Sequence, residues 1–318
     1  MVIFGFWRHD STAIDDCSIV ALLQIVDKNN NLSELRLSSN QITVDGAAEL
    51  AKTLPSMRQL LLLDLSNDVG SRNKNVINDE GLTVLCNAIS KNFSLLSLNL
   101  VGNNINELDA ASIGQVLRLN LTLTHLDLDR NKLGTRGAQI LFEALARNKA
   151  LRHLSLAQNG IGADAVCVLL VNHSMRFRRM NGSQARAINT MLVNNNSLVA
   201  LHLQNNSIGL ALPDLAEAML QNRSIVVLDL QGNGIVDAGA TAFAHVLASN
   251  IYLTNINLSN NNIGQAGGIM ISKALAKNKV LTSLDISSND IKDESAISIA
   301  EAMVRITKQI KMQPEVWL

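Results

Sequence analysis

The sequence predicts an α/β solenoid, in which parallel strands line the concave face of a curved array and helices cover its convex face. A pattern of apolar residues and asparagine recurs with a 28-residue shift, so that the stretch 123–133 returns as 151–161. Within each period, alternating apolar residues are followed by apolar residues at helical spacing. Because parallel strands lie about 4.8 Å apart and helices about 8–10 Å apart, the array must curve toward its strands.

Nine units follow this pattern, and each is expected to fold as strand, turn, helix and turn. Successive units start 28, 35, 28, 28, 47, 27, 28 and 28 residues apart, so two of them carry insertions. The first half of a unit alternates with a period of two, as a half-buried strand does. The first apolar residues of the units are Leu32, Leu60, Leu95, Leu123, Leu151, Leu198, Ile225, Leu253 and Leu281.

The spacing divides the chain into a cap, an array and a closing helix. Residues 1–31 are interpreted as an N-terminal cap with a short strand in 1–7 and a helix that Asp15 or Asp16 N-caps; a disordered leader is the alternative. The array covers 32–292, with insertions near 66–72 and 165–183. Residues 293–318 are expected to form a capping helix and tail. A degenerate repeat is the alternative to the second insertion.

Helical spacing also predicts which residues of the last helix are buried. Ile297, Ala300 and Val304 are expected to face the core, because they recur at intervals of three and four residues, and Met303 is a further candidate.

Two series of asparagines are predicted to be structural. An inward Asn after each strand can bond backbone groups that the turn leaves unpaired, although Asp68 competes with Asn75 for this position in the second unit. A second series precedes eight of the nine units, with Met57 in this position in the remaining unit, and is expected to end the helix, because Asn tolerates the left-handed conformation. The first series is Asn40, Asn75, Asn103, Asn131, Asn159, Asn206, Asn233, Asn261 and Asn289, and the second is Asn29, Asn92, Asn120, Asn148, Asn195, Asn222, Asn250 and Asn278.

These units resemble the ribonuclease-inhibitor-like class of leucine-rich repeats. The resemblance rests on the 28-residue LxxLxLxxNxI pattern and on helix starts with Gly-Ala, and it covers residues 32 to about 291. The single repeat length looks most like that of bacterial effector-type or NOD-like-receptor-type repeats. The resemblance implies a protein-binding role, since the class includes enzyme inhibitors, ligand-sensing receptor domains and GTPase activators.

Composition and motifs argue against several other functions. Lys+Arg and Asp+Glu both number 27, so no global field favours nucleic acid or an anionic membrane. No P-loop, GxSxG, HExxH or paired CxxC motif is present, so no cofactor, metal site or reaction is predicted. The N-terminus lacks the pattern of a signal peptide, and a cytoplasmic protein that is monomeric by itself is expected, in a host cytosol if it is a secreted effector.

The outward strand positions form three rows, which we interpret as the partner-binding face. The rows start at Glu34, Arg36 and Ser38. Imidazole, carboxylate and hydroxyl groups meet on adjacent strands, where metal ligation or a Ser–His pair is conceivable, but the open face favours a partner-contact patch. A second, basic contact is expected from the loop of the second insertion. The predicted contacts are His125, Asp127, Asp129, His153, Ser155, His202, Asp229, Arg176, Arg178 and Arg179.

The sequence therefore predicts a non-enzymatic scaffold that binds a protein partner, such as an enzyme that it inhibits or regulates. A bacterial secreted effector or a regulator of an effector is the setting that the resemblance suggests. The alternatives are a GTPase activator, with Arg130 or Arg136 at the rim, and a ligand-sensing fragment of a larger receptor.

Overall fold

The computed structural model describes residues 6–8, 13–27, 32–77, 79–163 and 187–311; for 6–8, 26–27, 79, 187 and 306–311 only the backbone is described. The chain divides into two compact units, Met1–Asn159 and Gly160–Leu318. In both units the described strands are parallel and neighbouring strands follow one another in sequence order.

In the first unit, each strand pairs with the equivalent three residues of the next repeat, so that Glu34 lies beside Leu62 and Leu62 beside Ser97. The intervening helices pack in the same order. The strands are β1 Phe6–Arg8, β2 Glu34–Arg36, β3 Leu62–Asp64, β4 Ser97–Asn99, β5 His125–Asp127 and β6 His153–Ser155, and the helices are α1 Asp16–Asp27, α2 Val44–Thr53, α3 Asp79–Ile89, α4 Ala110–Leu119 and α5 Gly134–Leu145.

The second unit repeats this plan. A short 3-10 turn, Gly209–Ala211, leads into one of its helices, in which Pro213 occupies the first turn, where its missing N–H is not needed. The strands are β7 Ala200–His202, β8 Val227–Asp229, β9 Asn255–Asn257 and β10 Ser283–Asp285, and the helices are α6 Ala187–Asn194, α7 Leu212–Gln221, α8 Asp237–Ser249, α9 Gln265–Leu275 and α10 Lys292–Lys311.

The expected alternation along the strands is confirmed. In β2 to β6 the middle residue is buried while the two flanking residues are at least partly exposed, as Leu126 is between His125 and Asp127. The buried leucines contact the apolar sides of the helices, where Phe142 and Phe243 are the largest fully buried side chains. The outward strand residues are therefore held on a backbone that is fixed by both the ladder and the core.

The asparagines that follow the strands form the expected ladder. Asn131 is 5% exposed; its amide donates to the carbonyls of Leu100 and Leu128, and its Oδ1 accepts the N–H of Ile105. Asn75 occupies the same position in its repeat, since its amide donates to the Leu37 carbonyl at 2.9 Å. The first insertion therefore lies before Asn75, and Asp68 is not the ladder residue.

The prediction for the second asparagine series is correct in position and wrong in mechanism. Asn120, Asn222 and Asn250 have φ between −70° and −80° and extended backbones, so they do not end helices in the left-handed conformation. Instead the side chain joins two repeats. The Asn120 amide donates to the carbonyl of Ile89 in the preceding helix, and its Oδ1 accepts the N–H of Leu123 at 2.7 Å.

The left-handed conformation occurs at the other end of the strand, mostly one residue before the ladder asparagine. Ser39, Arg130 and Gln158 have φ of 52°, 56° and 54° there. Gly102 has the same role, and a Cβ at this position would lie 2.9 Å from the carbonyl oxygen of Asn67. The sequence does not reveal this turn, because residues of several types occupy it.

The core-facing side of the last helix differs from the expectation. Ile297, Ala300 and Val304 are exposed, whereas Ser295, Ile299 and Ala302 are buried. Ser295 packs close to the preceding helix, since a Cβ on Gly268 would lie 2.9 Å from its Cβ. The close packing of Ser295 against Gly268 therefore determines which side of α10 faces the core. The exposed apolar residues of this helix lie on its other sides.

The N-terminal segment contains the expected helix, which begins at Asp16 after Asp15. Asp15 Oδ1 accepts the N–H of Ser18 at 2.8 Å, so Asp15 is the N-cap. Asp16 has a different role, because its carboxylate accepts the N–H groups of Thr43 and Gly46 in the next repeat.

Candidate functional site

Two histidines stack on the strand face of the first unit, which is the surface formed by the outward side chains of β2 to β6. His125 and His153 are equivalent residues of β5 and β6, and their α-carbons pair directly in the parallel register. The ring centroids lie 4.2 Å apart and the ring planes differ by 7°. Both side chains are exposed. The parallel strands therefore present a flat imidazole pair to solvent.

The hydrogen bonds of a neighbouring threonine indicate the tautomer of His125. Thr124 Oγ1 donates to the Leu96 carbonyl at 3.0 Å, and it lies 2.8 Å from His125 Nδ1. Because a hydroxyl has a single proton, Thr124 can only accept from His125 Nδ1 while it donates to the Leu96 carbonyl, which favours the tautomer with the proton on Nδ1.

Asp127 lies beside the imidazole pair in a half-buried position. The pKa of this carboxyl is raised from 3.8 to about 6, chiefly by burial and also by the charges of Asp129 and Asp64, while the N–H of Asp129 and the guanidinium of Arg130 act in the opposite direction. The carboxylate stays on the strand face because the ladder fixes its backbone, although its charged form is poorly solvated there.

Ser155 is bonded to a carboxylate of the preceding repeat. Its hydroxyl donates to Asp129 Oδ1 at 2.5 Å, and the same oxygen accepts the N–H of Ala157 at 2.7 Å. The single hydroxyl proton of Ser155 is therefore directed at Asp129 and not at an imidazole. This arrangement differs from a Ser–His nucleophile pair, in which the imidazole must accept that proton.

Polar residues at the ends of the strands hold the following turn, a role that sequence reasoning missed. One side-chain oxygen accepts the backbone N–H of the residue two positions later, at 2.9–3.1 Å. Such bonds form Asx turns, which Asp and Asn support equally. The recurrence of Asp and Asn at this position was the available signal. The residues are Asp64, Asn99, Asp127, Asp229, Asn257 and Asp285.

In the second unit, the two predicted contact residues are neighbours. His202 and Asp229 pair directly between β7 and β8, and both are half-buried. One oxygen of Asp229 is used by the Gln231 N–H at 3.0 Å. The register thus places an imidazole beside a carboxylate.

The row of outward positions that starts at Ser38 is mostly buried, so the prediction of three exposed rows is wrong. The ladder asparagines bond the backbone of this row and hold it in the turn. The Asn131 amide, for example, donates to the Asp129 carbonyl. Only two rows and the side chain of Asp129 belong to the strand face in the first unit. The buried members of the third row are Ser38, Ser66, Val101, Ala157 and Ser259.

The predicted rim arginines differ in their positions. Arg130 Nη2 donates to the Asn67 carbonyl at 3.0 Å, which ties the first insertion to a repeat 63 residues away. Arg136 is exposed near the start of α5. Arg176, Arg178 and Arg179 lie outside the described residues, as does the second predicted insertion.

In the part of the chain that the structure describes, no three His, Cys, Asp or Glu side chains are grouped so that they could hold a metal ion. Among the same residues, no helix combines the length and the apolar composition needed to span a bilayer.

A family model described as "Leucine Rich repeat" matches six segments of the chain, each of which contains one repeat boundary. The matched segments are 28–51, 91–114, 119–141, 221–244, 249–272 and 277–300. A search of curated protein sequences finds no match.

Solved structures are similar at low sequence identity. A TLR13–ssRNA13 complex matches with 21% identity and a TM-score of 0.48 over 85% of this chain and 30% of that chain. An internalin (inlF) from Listeria monocytogenes matches with 19% identity and a TM-score of 0.43 over 87% of this chain and 80% of that chain. The tropomodulin C-terminal domain of Caenorhabditis elegans matches with 18% identity and a TM-score of 0.38, over 64% of this chain and 97% of that domain.

The matched segments coincide with the strand–helix units of the fold, and their asparagines form the observed ladder. Each of the two units therefore contains three segments that are similar to leucine-rich repeats, and its strands and helices have the order of an α/β solenoid.

Proposed function

We propose that the protein is a non-enzymatic scaffold that binds a protein partner through the strand face. In the first unit the contact is centred on the stacked pair His125 and His153 with Asp127, and in the second on His202 and Asp229. We further propose that the partner is an enzyme whose active surface is covered, with the chain acting as a secreted bacterial effector or a regulator of one. Asp129, Ser155, Arg176, Arg178 and Arg179 are the remaining proposed contacts.

The observation that carries the proposal is the exposed imidazole stack on a rigid strand pair. The two rings lie parallel at 4.2 Å, and their backbones are fixed by the ladder and by buried leucines. A pre-ordered flat group loses little conformational entropy when a partner covers it, which favours binding. The stack also offers ring nitrogens that can bond polar groups of the partner.

The charge on this face favours a basic partner surface. Asp64, Asp127 and Asp129 lie near one another, whereas Arg36 on the same face is engaged by Glu34 at 3.1 Å. Carboxylates in this arrangement attract a positively charged surface and speed the encounter more than they strengthen the final complex. The binding rate should therefore fall as ionic strength rises.

The chemistry of the same residues argues against catalysis. The Ser155 hydroxyl is committed to Asp129, and the imidazoles are exposed rather than enclosed in a site that excludes water. Nucleophilic catalysis needs a hydroxyl whose proton a base can accept, in surroundings that favour the transition state. We therefore assign these residues to binding.

The test is a quantitative pull-down with mass spectrometry that compares the wild type with Asp127→Ala/His153→Ala. A matched control, Glu217→Ala/His245→Ala, removes one carboxylate and one imidazole from exposed positions on α7 and α8. Capture of the specific partner should fall at least about tenfold with the first double variant and stay at the wild-type level with the control, since a contact worth 1.4 kcal/mol changes affinity tenfold. Equal capture by both variants would exclude the strand face as the binding site.

A further inference from the structure

The edge of the first unit where helices turn back into strands has an unusual composition. Four consecutive turns form this edge, at residues 53–61, 89–96, 117–124 and 145–152. Together they contain six basic residues and no Asp or Glu. The basic residues are Arg58, Lys91, Arg118, Arg147, Lys149 and Arg152, and all six are exposed.

Large apolar side chains project from the same edge. Phe93 is 77% exposed and Leu121 is 73% exposed. They occupy equivalent positions in adjacent repeats, one residue after Asn92 and Asn120, and are therefore neighbours along the edge. Lys149 follows at the equivalent position in the next repeat. The apolar pair therefore lies directly beside a basic residue.

Further exposed apolar residues extend this patch. Leu61 and Leu96, which are equivalent to each other, and Leu119 at the end of α4 are all exposed. None of the five apolar side chains fills the core of the fold, because the leucines that follow the asparagines, such as Leu95, do so. Exposed apolar clusters on soluble surfaces commonly mark binding sites.

The helix dipole explains only part of this edge. Lys and Arg at helix C-termini are stabilised by the negative end of the dipole, and α2 to α5 end here. This effect does not account for the exposed apolar side chains of Phe93 and Leu121. The combination of basic and apolar groups therefore needs a second explanation.

The equivalent edge of the second unit has the same chemistry. Its turns at 192–199, 219–226, 247–254 and 275–282 again contain no Asp or Glu. Ile251 is 67% exposed, and Leu220 and Tyr252 are exposed as well. The exposed basic residues are Arg223, Lys277 and Lys279. The two units thus carry this pattern independently.

We propose that the helix-to-strand edge docks on an anionic lipid surface, with Phe93 and Leu121 entering the interfacial layer and the basic residues contacting lipid headgroups. The balanced net charge argues against a membrane only while the charges are assumed to be evenly distributed. Clustered Lys and Arg bind anionic leaflets, and apolar side chains beside them add interfacial burial.

A lipid surface fits this edge better than an acidic protein segment does. The apolar residues project from the tips of successive turns, whereas an amphipathic helix is usually held in a hydrophobic groove. A lipid surface also offers the same anionic and apolar chemistry wherever it is contacted, which matches the recurrence of the pattern in both units. This inference does not depend on the proposed strand-face partner.

The test is co-sedimentation of the full chain with vesicles of phosphatidylcholine containing one quarter phosphatidylserine, against vesicles of phosphatidylcholine alone. The wild type should bind only the anionic vesicles, and less as salt increases. Arg118→Gln/Arg147→Gln/Lys149→Gln should lower the affinity roughly 100-fold, since each basic residue near the surface contributes about fivefold. Phe93→Ser/Leu121→Ser should lower it at least about tenfold, because two apolar side chains lose their burial.

Matched controls come from the opposite edge, where strands lead into helices. Lys74→Gln/Lys132→Gln/Arg136→Gln removes the same charge. Val69→Ser/Leu108→Ser removes apolar side chains that are 82% and 78% exposed. Both controls should bind anionic vesicles as the wild type does.

Failure of the wild type to bind anionic vesicles would overturn the proposal, as would equal losses in the edge and control variants. If the edge variants instead lose a captured acidic protein while vesicle binding is absent, the edge is a protein-binding surface and the lipid proposal is wrong. The strand-face variant Asp127→Ala/His153→Ala should bind vesicles normally, which separates this proposal from the preceding one.

Discussion

Replacing Asn131 with alanine tests the physical role of the asparagine ladder. Its side chain donates to the carbonyls of Leu100 and Leu128 at 3.0 and 2.8 Å and accepts the N–H of Ile105 at 3.0 Å. Alanine keeps the apolar volume near Cβ and removes these three bonds as well as the longer bond to the Asp129 carbonyl. The residue is 5% exposed, so bulk water cannot readily replace the lost partners.

The expected loss of stability follows from the number of groups left without a partner. A buried donor or acceptor that loses its partner costs about 1–3 kcal/mol. Two groups, the Leu100 carbonyl and the Ile105 N–H, lose their partner, whereas the Leu128 carbonyl still accepts the Asn159 amide. Partly relieved by relaxation of the turn, these two groups give an expected decrease in the free energy of unfolding of about 3 kcal/mol. This is a large fraction of the total stability of a typical domain.

The matched control is Asn289→Ala in the last repeat. Asn289 makes equivalent bonds, to the carbonyls of Leu258 and Ile286 and from the N–H of Ile263, but it is only half-buried. Water can reach the groups it leaves, so this substitution should cost about 1 kcal/mol or less. The two variants therefore separate hydrogen-bond loss from burial.

Urea denaturation followed by circular dichroism measures both values. Hydrogen exchange of the Ile105 amide gives a local measurement, because repeats in a solenoid can open separately. Asn131→Ala should accelerate that exchange in proportion to the loss of stability. A change below about 0.5 kcal/mol for Asn131→Ala, or an equal change for Asn289→Ala, would refute the reasoning.

Three further predictions concern the turns at the ends of the strands. Asp127→Asn should raise the free energy of unfolding near about pH 8 and leave it unchanged near about pH 3. The pKa of Asp127 is about 6 in the folded protein and 3.8 in the unfolded chain, so the wild type loses stability as the pH rises between these values, whereas asparagine stays neutral. Urea denaturation at several pH values measures the difference. Gly102→Ala should destabilise the fold by at least about 1 kcal/mol more than Gly134→Ala. Both glycines have positive φ, but only a Cβ at Gly102 would lie close to another atom, the carbonyl oxygen of Asn67. Thermal denaturation of the two variants measures the difference. Arg130→Ala should accelerate proteolysis within 66–72, because the guanidinium no longer holds the Asn67 carbonyl; unchanged cleavage would show that the bond is not needed.

The strands could be located from the sequence because their signal is periodic. Leu126 and Leu154 recur with the repeat, and the middle residue of each strand from β2 to β9 is buried where the alternation predicted it. The ladder asparagines could be assigned for the same reason. A buried polar residue that recurs after every strand has few explanations other than bonding the backbone of the turn.

The last helix shows where periodicity was insufficient. Ile297 and Val304 have the spacing of a buried stripe, yet they are exposed, and Ser295 is buried. The close contact between Ser295 and Gly268 determines the orientation of the helix. Such a contact depends on the surface of the neighbouring helix, which no local pattern encodes.

The candidate site divides in the same way. The sequence placed His125 beside His153 and Asp127 beside Ser155, because the register of the repeats makes them neighbours. It could not reveal that the two rings stack or that the Ser155 hydroxyl donates to Asp129. Rotamers and proton positions are chosen among several partners within reach, so they depend on the surrounding atoms.

The sequence by itself determined which residues recur, and hence the repeats, the strand and helix order, and the buried asparagine ladder. Tertiary structure alone decided what the polar side chains bond. Asn120 acts as a bridge between two repeats rather than as a left-handed helix end, and Asp127 and Asp229 hold turns at the ends of their strands. The physical reason is that a repeat specifies its own backbone through short-range pattern, whereas polar side chains such as Asn120 and Asp129 also bond groups 28 residues away in the adjacent repeat.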